Sequence, residues 1–309
     1  MPCAILDLGT NTFNLLIYEA DRTADQIGLK IIHQEEIPVF LGQGLEKGVI
    51  GKEAFDRGLI AVDRIMQIVR SHGVSEAKGI GCSTFRNARN AKEFIRAAAD
   101  RGVHVEVVAG SEEAAIILDG VRLAVPFTSK PALVMDIGGG SIEFILATDK
   151  ALMWKQSFEI GVTRLRERIP IGDPITLEEE MRVAEHLDAH LEPLWQIIDR
   201  HEPHLLIGSA GSFESIAPML ASIGGEAIPG DQLAYHFSAD RFEELKWQFF
   251  RLTRTERSKF PGLPAHRIDT IIYAMIAIDR VLVAGGIREL AWSRYSLKEG
   301  AAIRDMRNG

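Results

Sequence analysis

The pattern of apolar and polar positions divides the chain into alternating strands and helices. Short apolar runs bounded by glycine or polar residues predict strands over 4–8, 13–20 and 30–39. From Lys52 to Ser71, apolar residues recur every three or four positions, which predicts an amphipathic helix. Because such segments alternate along the whole chain, we expect an α/β fold with mixed sheets flanked by helices.

Later segments extend this alternation. We predict further strands over 78–82, 103–108, 132–137, 141–148, 151–159, 205–207 and 290–292. Further helices are predicted after Asn90, Ser111, Thr176 and Ser212, whose side chains suit helix N-caps. Apolar spacing predicts two more helices, over 242–252 and 297–306. The apolar run over 268–284 predicts a buried segment that ends at Gly285-Gly286.

Two hairpin loops carry an aspartate, glycines and hydroxyl side chains. The first is Asp7-Leu8-Gly9-Thr10-Asn11-Thr12, and the second is Asp136-Ile137-Gly138-Gly139-Gly140-Ser141, with Glu143 shortly after it. Glycines allow backbone amides to converge on a phosphate, and the carboxylates could hold Mg²⁺ or a water molecule. A single loop of this kind would be explained as a tight hairpin turn. Two copies, 136 − 7 = 129 residues apart, instead predict a duplicated domain with a phosphate between its halves.

Two further segments carry candidate chemistry. Gly208 to Ser212 forms a third turn of small residues before a predicted helix, whose N-terminus suits an anion. Glu112 and Glu113 fall in the first turn of the helix predicted after Ser111. Acidic residues at that place stabilise a helix through its dipole, so this feature alone does not identify a catalytic residue.

Composition limits the classes of function. The 309 residues suffice for two domains, and the net charge of −8 argues against a general nucleic-acid binder. No apolar run reaches membrane-spanning length, and we expect no signal peptide. The two cysteines fit a reducing cytoplasm, where we expect the protein. His186 and His190 have a spacing that can bind a metal, but no third ligand is apparent.

Together these motifs resemble the exopolyphosphatase / guanosine pentaphosphate phosphohydrolase family. Besides the two hairpin loops, the resemblance rests on segments 83–90, 110–114, 208–212, 261–264 and 293–300. It implies two ribonuclease H-like domains of the superfamily of actin, sugar kinases and chaperone ATPases, with the active site in the cleft between them. The domains would span 1–125, completed by a helix over 297–309, and 126–296.

The resemblance also implies roles for individual residues. Glu113 would be the base that accepts a proton from the attacking water, and Arg86 would neutralise the phosphoryl group. Asp136, Asp7 and Glu143 would hold Mg²⁺ or another divalent cation, although Glu143 could instead orient the water. Phosphate would be bound by residues of the three loops: Gly9, Thr10, Asn11, Thr12, Gly138, Gly139, Gly140, Ser141, Gly211 and Ser212.

The expected activity is Mg²⁺-dependent release of terminal phosphate from polyphosphate, shorter chains in particular, or from guanosine pentaphosphate. The chain departs from the family pattern at Asn14, Cys82, Ala210 and Lys298. Two alternatives therefore stay open: a kinase of the same superfamily, and a regulator that binds polyphosphate or an alarmone without turnover. A homodimer is compatible with the resemblance, and neither a nucleic-acid nor a membrane partner is expected.

Overall fold

The chain divides into two compact units in the computed structural model, which describes residues 1–21 and 28–308. Unit 1 comprises Met1–Gly120 and Ser296–Gly309, and unit 2 comprises Val121–Tyr295. Within the described residues, no helix is both long enough and apolar enough to cross a membrane.

Unit 1 is built around a five-stranded sheet. In chain order its elements are β1 (Cys3–Leu8), β2 (Thr12–Asp21), β3 (Gly28–Pro38), α1 (Lys52–Ser71), β4 (Ala77–Gly81), α2 (Ser83–Asn87), α3 (Ala91–Ala99), β5 (Val103–Val107), α4 (Gly110–Ala124, which extends into unit 2) and the C-terminal helix (Leu297–Asn308). The strand order is β3-β2-β1-β4-β5. The first three strands pair antiparallel, whereas β4 and β5 run parallel to β1.

Unit 2 is built around a six-stranded sheet. Its elements are β6 (Ala132–Ile137), β7 (Ile142–Ala147), β8 (Leu152–Phe158), α5 (Val162–Arg168), α6 (Leu177–His190), α7 (Glu192–His201), β9 (Leu205–Ser209), α8 (Ala210–Ile223), β10 (Ala234–Ser238), α9 (Ala239–Arg251), α10 (Arg254–Arg257), α11 (Ile271–Gly285) and β11 (Glu289–Ser293). The C-terminal helix of unit 1 is therefore α12. The strand order is β8-β7-β6-β9-β11-β10.

The two sheets repeat one topology. In each, an antiparallel meander of three strands is extended by two strands parallel to the first, and unit 2 adds β10 antiparallel to β11. This is the strand order of the ribonuclease H-like fold, so the predicted fold class of two mixed-sheet α/β domains is confirmed. β1 and β6 are equivalent central strands, and each carries an aspartate near its end, Asp7 and Asp136.

The apolar run over 268–284, which the sequence predicts to be buried, forms the central helix of unit 2. Every residue from Ile271 to Ile278 is buried in α11, which packs against α5, α6, α7 and α9. Because neighbours surround α11, its sequence lacks the polar stripe of a surface helix. The helix ends, as predicted, at the glycine pair, where Gly286 adopts a left-handed φ of 56°.

Several predicted caps are wrong because other groups take their place. Ser111 lies inside α4, since the carbonyl of Ala109 already accepts the amide of Glu113 at 2.8 Å. Ser212 likewise lies inside α8, which begins at Ala210. Asn90 occupies the N-cap position of α3, as predicted, but its side chain makes no capping hydrogen bond. Its side-chain amide instead bonds the backbone of Ile50 in both directions, at 2.8 and 3.0 Å.

The sequence pattern predicts one continuous helix over 178–199, but the structure has two. Thr176 and Glu179, whose spacing in the sequence predicts a capping box, form one at the start of α6, but the helix ends at Leu191. Pro193, which lacks an amide hydrogen, occupies the first turn of α7. The break changes which side chains face the core: Val183 is buried, whereas Met181 is 55% exposed.

Helix α12 is tied to the sheet of unit 1 by a buried phenol and an aspartate. The Tyr18 hydroxyl donates to Asp305 at 2.7 Å, and Lys78 forms an ion pair with the same carboxylate. Burial raises the pKa of Asp305, but the hydrogen bonds from Lys78 and Tyr18 outweigh burial and hold that pKa below its usual value. The ionised carboxylate therefore stabilises the docked helix.

Replacing Asp305 with Asn should lower the free energy of unfolding by about 1 kcal/mol at pH 7. A carboxyl group whose pKa is lower in the folded state contributes its full stability above the unfolded pKa and loses it as pH falls through the folded pKa. The difference between wild type and Asp305→Asn should therefore shrink as the pH falls below about 4. Urea unfolding at several pH values measures it.

Asp56→Asn is the matched control, because Asp56 pairs with Lys52 on the exposed surface of α1. Its effect should be close to zero. A difference for Asp305→Asn that stays constant down to pH 3 would contradict the proposed charge–charge stabilisation.

Candidate active site

The first predicted phosphate loop, Gly9–Thr12, joins β1 to β2. The amide of Gly9 donates to the carbonyl of Thr12 at 3.1 Å. The carbonyls of Thr10 and Asn11 accept the amides of residues 39, 40 and 42 at 2.7 to 3.0 Å. Because the N–H and C=O groups of a trans peptide point in opposite directions, the amides of Asn11 and Thr12 face away from this anchor.

The second loop, Gly138–Ser141, is anchored in the same way. Its carbonyls at 138, 139 and 140 accept the amides of residues 162, 163 and 161 at 3.1, 2.9 and 3.1 Å. The amides of residues 139–141 therefore face the other way, and within the described residues those of Gly139 and Gly140 donate to no protein acceptor. Gly161 permits this approach, since a Cβ there would lie 2.5 Å from the amide nitrogen of Gly140. Converging amides of this kind form an anion-binding nest.

A pair of cross-strand polar residues flanks each loop. In unit 1, Asp7 lies opposite Asn14, whose side-chain amide donates to the carboxylate at 3.2 Å. In unit 2 the equivalent positions are Asp136 and Glu143. Both pairs are separated by seven residues (14 − 7 and 143 − 136), so unit 2 has a second carboxylate where unit 1 has an amide.

Two serine hydroxyls orient the buried carboxylates of unit 2. Asp136 is 7% exposed and Glu143 only 1%. The hydroxyl of Ser209 donates to Asp136 at 2.5 Å, and that of Ser157 donates to Glu143 at 2.7 Å. Buried carboxylates need such donors or a cation to offset their lost hydration.

The predicted metal ligands are Asp136, Glu143 and Asp7. No group of three or more His, Cys, Asp or Glu side chains is close enough to hold a metal ion within residues 1–21 and 28–308. Asp136 and Glu143 lie side by side on paired strands, whereas Asp7 belongs to the sheet of unit 1. Two hard oxygen ligands suit Mg²⁺, which keeps several waters and takes further oxygens from phosphate. The residues present therefore fit such an ion.

Glu113 and Arg86 come together from two helices of unit 1. A guanidinium nitrogen of Arg86, on α2, bonds the carboxylate of Glu113, in the first turn of α4. The same nitrogen bonds the carbonyl of Val108 at 3.2 Å. The pair is largely shielded from water, since 6% of Glu113 and 16% of the Arg86 side chain are exposed. The positive charge of Arg86 and the negative charge of Glu113 therefore neutralise each other where little water is present.

The third loop lies where β9 meets α8. Ala210 has a φ of 60°, a left-handed conformation that strains a residue with a Cβ. The guanidinium of Arg267 lies directly against Gly211, where a Cβ would be 2.6 Å from Nη2. Arg267 also donates to Ser215 at 3.2 Å and to Glu214 at 3.3 Å. Gly211 and Ser212 are thus on the first turn of α8 beside a half-buried cation.

The sequence prediction missed four residues that position the site. Ser209 and Ser157 support the two carboxylates, Arg267 covers Gly211, and Thr84 donates to the hydroxyl of Thr10 at 3.0 Å. Ser209 belongs to the third predicted loop, Gly208 to Ser212, so the sequence motif could have identified it as a site residue. Thr84 and Thr10 are 84 − 10 = 74 residues apart, and their contact exists only because β4 pairs with β1.

The departures from the family pattern have local consequences. Cys82 is buried and its thiol is 3.8 Å from Asp7, a weak hydrogen bond compared with the one a hydroxyl makes to Asp136. Lys298 pairs at 3.1 Å with Glu299, which is fully buried and also accepts a bond from Gln34 at 2.9 Å. Cys82 and Lys298 therefore each interact with a carboxylate of unit 1, Asp7 and Glu299 respectively.

Fold and site define a two-unit α/β protein with a repeated acidic hairpin loop. The sequence model of the Ppx/GppA phosphatase family matches residues 16–308. The chain therefore belongs to the Ppx/GppA phosphatase family.

Relatives of known structure and name agree with this assignment. A crystal structure of an exopolyphosphatase from Cytophaga hutchinsonii is 34% identical, with a TM-score of 0.94 over 100% of this chain and 98% of its own. Exopolyphosphatase 2 of Mycobacterium tuberculosis is 27% identical over 97% of both chains. The Aquifex aeolicus family member shares the fold, with a TM-score of 0.81 at 21% identity over 100% of this chain and 98% of that one.

The strain at Ala210 leads to a stability prediction. Ala210→Gly should raise the free energy of unfolding by about 1 kcal/mol, because glycine adopts the left-handed region without a Cβ clash. Chemical denaturation, followed by the fluorescence of the tryptophans in unit 2, measures the change in the free energy of unfolding.

Ala91→Gly is the control, since Ala91 also begins a helix but is not among the residues with positive φ. It should lower stability by roughly 0.5–1 kcal/mol. Equal losses in both variants would show that Ala210 is not strained.

Proposed function

We propose that this chain is a hydrolase that releases the terminal phosphate of inorganic polyphosphate. The observation that carries the proposal is the buried ion pair of Glu113 and Arg86, an acid and a cation held together on two helices of one unit. The exopolyphosphatase of Cytophaga hutchinsonii, 34% identical over the whole chain, supports the same substrate class. Guanosine pentaphosphate offers an equivalent terminal phosphoanhydride and is the second substrate to test.

Substrate binding would separate the pair. A terminal phosphoryl group carries more negative charge than a carboxylate, so Arg86 would form hydrogen bonds to the phosphoryl oxygens. Glu113 would then be available as a proton acceptor. Water would attack the terminal phosphorus and transfer its proton to Glu113, while the bridging P–O bond breaks. The products are orthophosphate and a chain one phosphate shorter.

The amide nests would bind the phosphate oxygens. The carbonyls of both loops already accept hydrogen bonds from the protein, so the outward amides need no reorganisation to donate to an anion. The side chains of Thr10, Thr12 and Ser141 add hydroxyl donors. The net charge of −8 opposes a long polyanion, and we therefore propose a preference for shorter chains.

Asp136 and Glu143 would hold Mg²⁺ through oxygen contacts, direct or through water. When bound, the ion would supply charge neutralisation for the phosphate oxygens. Ser209 and Ser157 would keep the two carboxylates in place, since each donates a short hydrogen bond to one of them.

Glu113→Gln should lower the rate of phosphate release by about 100-fold or more, because an amide cannot accept the proton. Substrate binding should change little, since Arg86 and the amide nests remain. The measurement is orthophosphate release with Mg²⁺ from short polyphosphate, long polyphosphate and guanosine pentaphosphate, together with binding by calorimetry.

Glu112→Gln is the matched control, one residue away on the same turn. Glu112 is half-exposed and pairs with Arg304, so its loss should leave turnover nearly unchanged. If the wild-type protein bound these substrates but released no orthophosphate from any of them, the hydrolase proposal would be overturned and a binding regulator favoured. If Glu113→Gln and wild type released phosphate at equal rates, Glu113 would not be the base.

Glu143→Gln should raise the Mg²⁺ concentration needed for half-maximal rate by about tenfold. The reason is the loss of one of two adjacent carboxylates, whereas Asp136 and its serine remain. Ser157→Ala should shift the requirement in the same direction by less, since it removes only the orienting hydroxyl. An unchanged Mg²⁺ requirement in both variants would show that Glu143 is not near the ion.

A further inference from the structure

On the carbonyl side of the first loop lies the guanidinium group of Arg57, a residue of α1. Its Nε donates to the carbonyl of Val39 at 2.5 Å, and its Nη2 donates to the carbonyl of Phe40 at 3.2 Å. Among the described residues these two carbonyls are its only hydrogen-bond partners, and Arg57 forms no ion pair with any of them. A half-buried cation that no carboxylate neutralises polarises the dipoles that it contacts.

Two peptide groups connect Arg57 to the amide of Thr12 in the first loop. The carbonyl of Val39 and the amide of Phe40 belong to one peptide, and that amide donates to the carbonyl of Asn11 at 2.9 Å. The carbonyl of Asn11 and the amide of Thr12 belong to the next peptide. Because hydrogen-bonded peptides polarise one another, the positive charge of Arg57 makes the Thr12 amide a stronger donor.

Phe40 adopts a backbone conformation that a residue with a Cβ disfavours. Its φ is 47°, in the left-handed region. Its amide donates to Asn11 and its carbonyl accepts from Arg57, so hydrogen bonds fix this residue on both sides. Strained residues persist where their surroundings determine the conformation, and they concentrate at functional sites. Arg57 therefore also holds the segment that anchors the first loop.

Unit 2 repeats the arrangement with one peptide fewer. The Nε of Arg164, on α5, donates to the carbonyl of Gly140 at 2.8 Å, and that carbonyl also accepts the amide of Gly161 at 3.1 Å. The amide of Ser141 belongs to the same peptide as this carbonyl, so the charge of Arg164 acts on it directly. The Nη2 of Arg164 donates to Glu159 at 2.8 Å, which orients the guanidinium group.

The two arginines come from equivalent helices. In each unit the helix is the first α-helix after the third strand of the meander, α1 after β3 and α5 after β8. The same segments of the two topologies thus place a guanidinium Nε on the carbonyl side of the two loops.

We propose that Arg57 and Arg164 are positioning residues for phosphate, which strengthen the amides of Thr12 and Ser141 as donors without contacting the ligand. Both arginines act through peptides, because the Nε and Nη2 of each donate to protein acceptors. The inference rests on the proposed function, since it requires the two loops to bind the oxygens of a phosphate chain.

Calorimetry of the full chain with methylenediphosphonate tests the inference, because water does not cleave the P–C–P bridge of this phosphate analogue. Arg164→Met should raise the Kd by about tenfold, since the side chain keeps its length but loses its charge and its donors. Arg57→Met should raise the Kd by about threefold, because Arg57 acts through one more peptide.

Arg64→Met and Arg166→Met are the matched controls on α1 and α5. Arg64 pairs with Glu35 at 2.7 Å and Arg166 with Asp269 at 3.4 Å, and both arginine side chains are more than half exposed. Because these cations contact carboxylates at the surface, their loss should change the Kd by less than about twofold. Circular dichroism shows that each variant is folded.

Two readouts separate polarisation from a merely structural role. A carbonyl that accepts a hydrogen bond withdraws electron density from the nitrogen of its own peptide. The ¹⁵N resonance of Ser141 should therefore move upfield in Arg164→Met, and that of Phe40 in Arg57→Met. Arg164→Lys and Arg57→Lys keep the charge and a donor, so each should return the Kd to within about twofold of wild type.

Equal affinity of wild type and both methionine variants would overturn the inference and leave the hydrolase proposal standing. Unmoved ¹⁵N resonances together with lysine variants that do not recover would also overturn it, and the arginines would then only support the backbone. Failure of the wild type to bind the analogue would have the same consequence. Orthophosphate release tests the hydrolase separately: an analogue bound without any release from polyphosphate would overturn the hydrolase and leave the role of the arginines intact.

Discussion

The candidate site depends on one constraint, the fixed opposition of N–H and C=O within a planar peptide. Backbone amides bond the carbonyls of both glycine loops, so the amides of the loops are oriented before any ligand arrives. The anchoring segment follows the third strand of the meander in each unit, 39–42 after β3 and 161–163 after β8. Two parts of the chain with little sequence likeness thus perform the same structural task, because the topology brings them to the same place.

The duplicated backbone carries different side chains. Asp7 accepts from the Asn14 amide and lies near the Cys82 thiol, whereas Asp136 has the Glu143 carboxylate beside it and accepts from the Ser209 hydroxyl. Unit 2 therefore concentrates negative charge, which suits a cation. Unit 1 instead pairs its buried acid Glu113 with a cation of its own, Arg86. One fold thus supplies two electrostatic environments through a few substitutions.

Much of the architecture follows from periodicity and turn chemistry, which are local. Every strand except β10, the long helix α1 and the apolar run that forms α11 lie where their patterns predict them. The errors occur where distant groups compete with local preference. The Asn90 side chain bonds Ile50 instead of an amide of α3, and the strained Ala210 starts α8 before Ser212. Both cases reflect hydrogen bonds and packing across elements, which a single stretch of sequence does not contain.

The sequence by itself determined the repeated loops, the family and the identity of the candidate acid, arginine and carboxylates, because these are properties of short ordered motifs. Only the tertiary structure decided their partners. That Arg86 bonds Glu113, that Ser157 bonds Glu143 and that Arg267 covers Gly211 depends on strand order and helix placement. These contacts join residues 14 to 56 positions apart in the chain (157 − 143 and 267 − 211), and sequence spacing does not encode a distance in space.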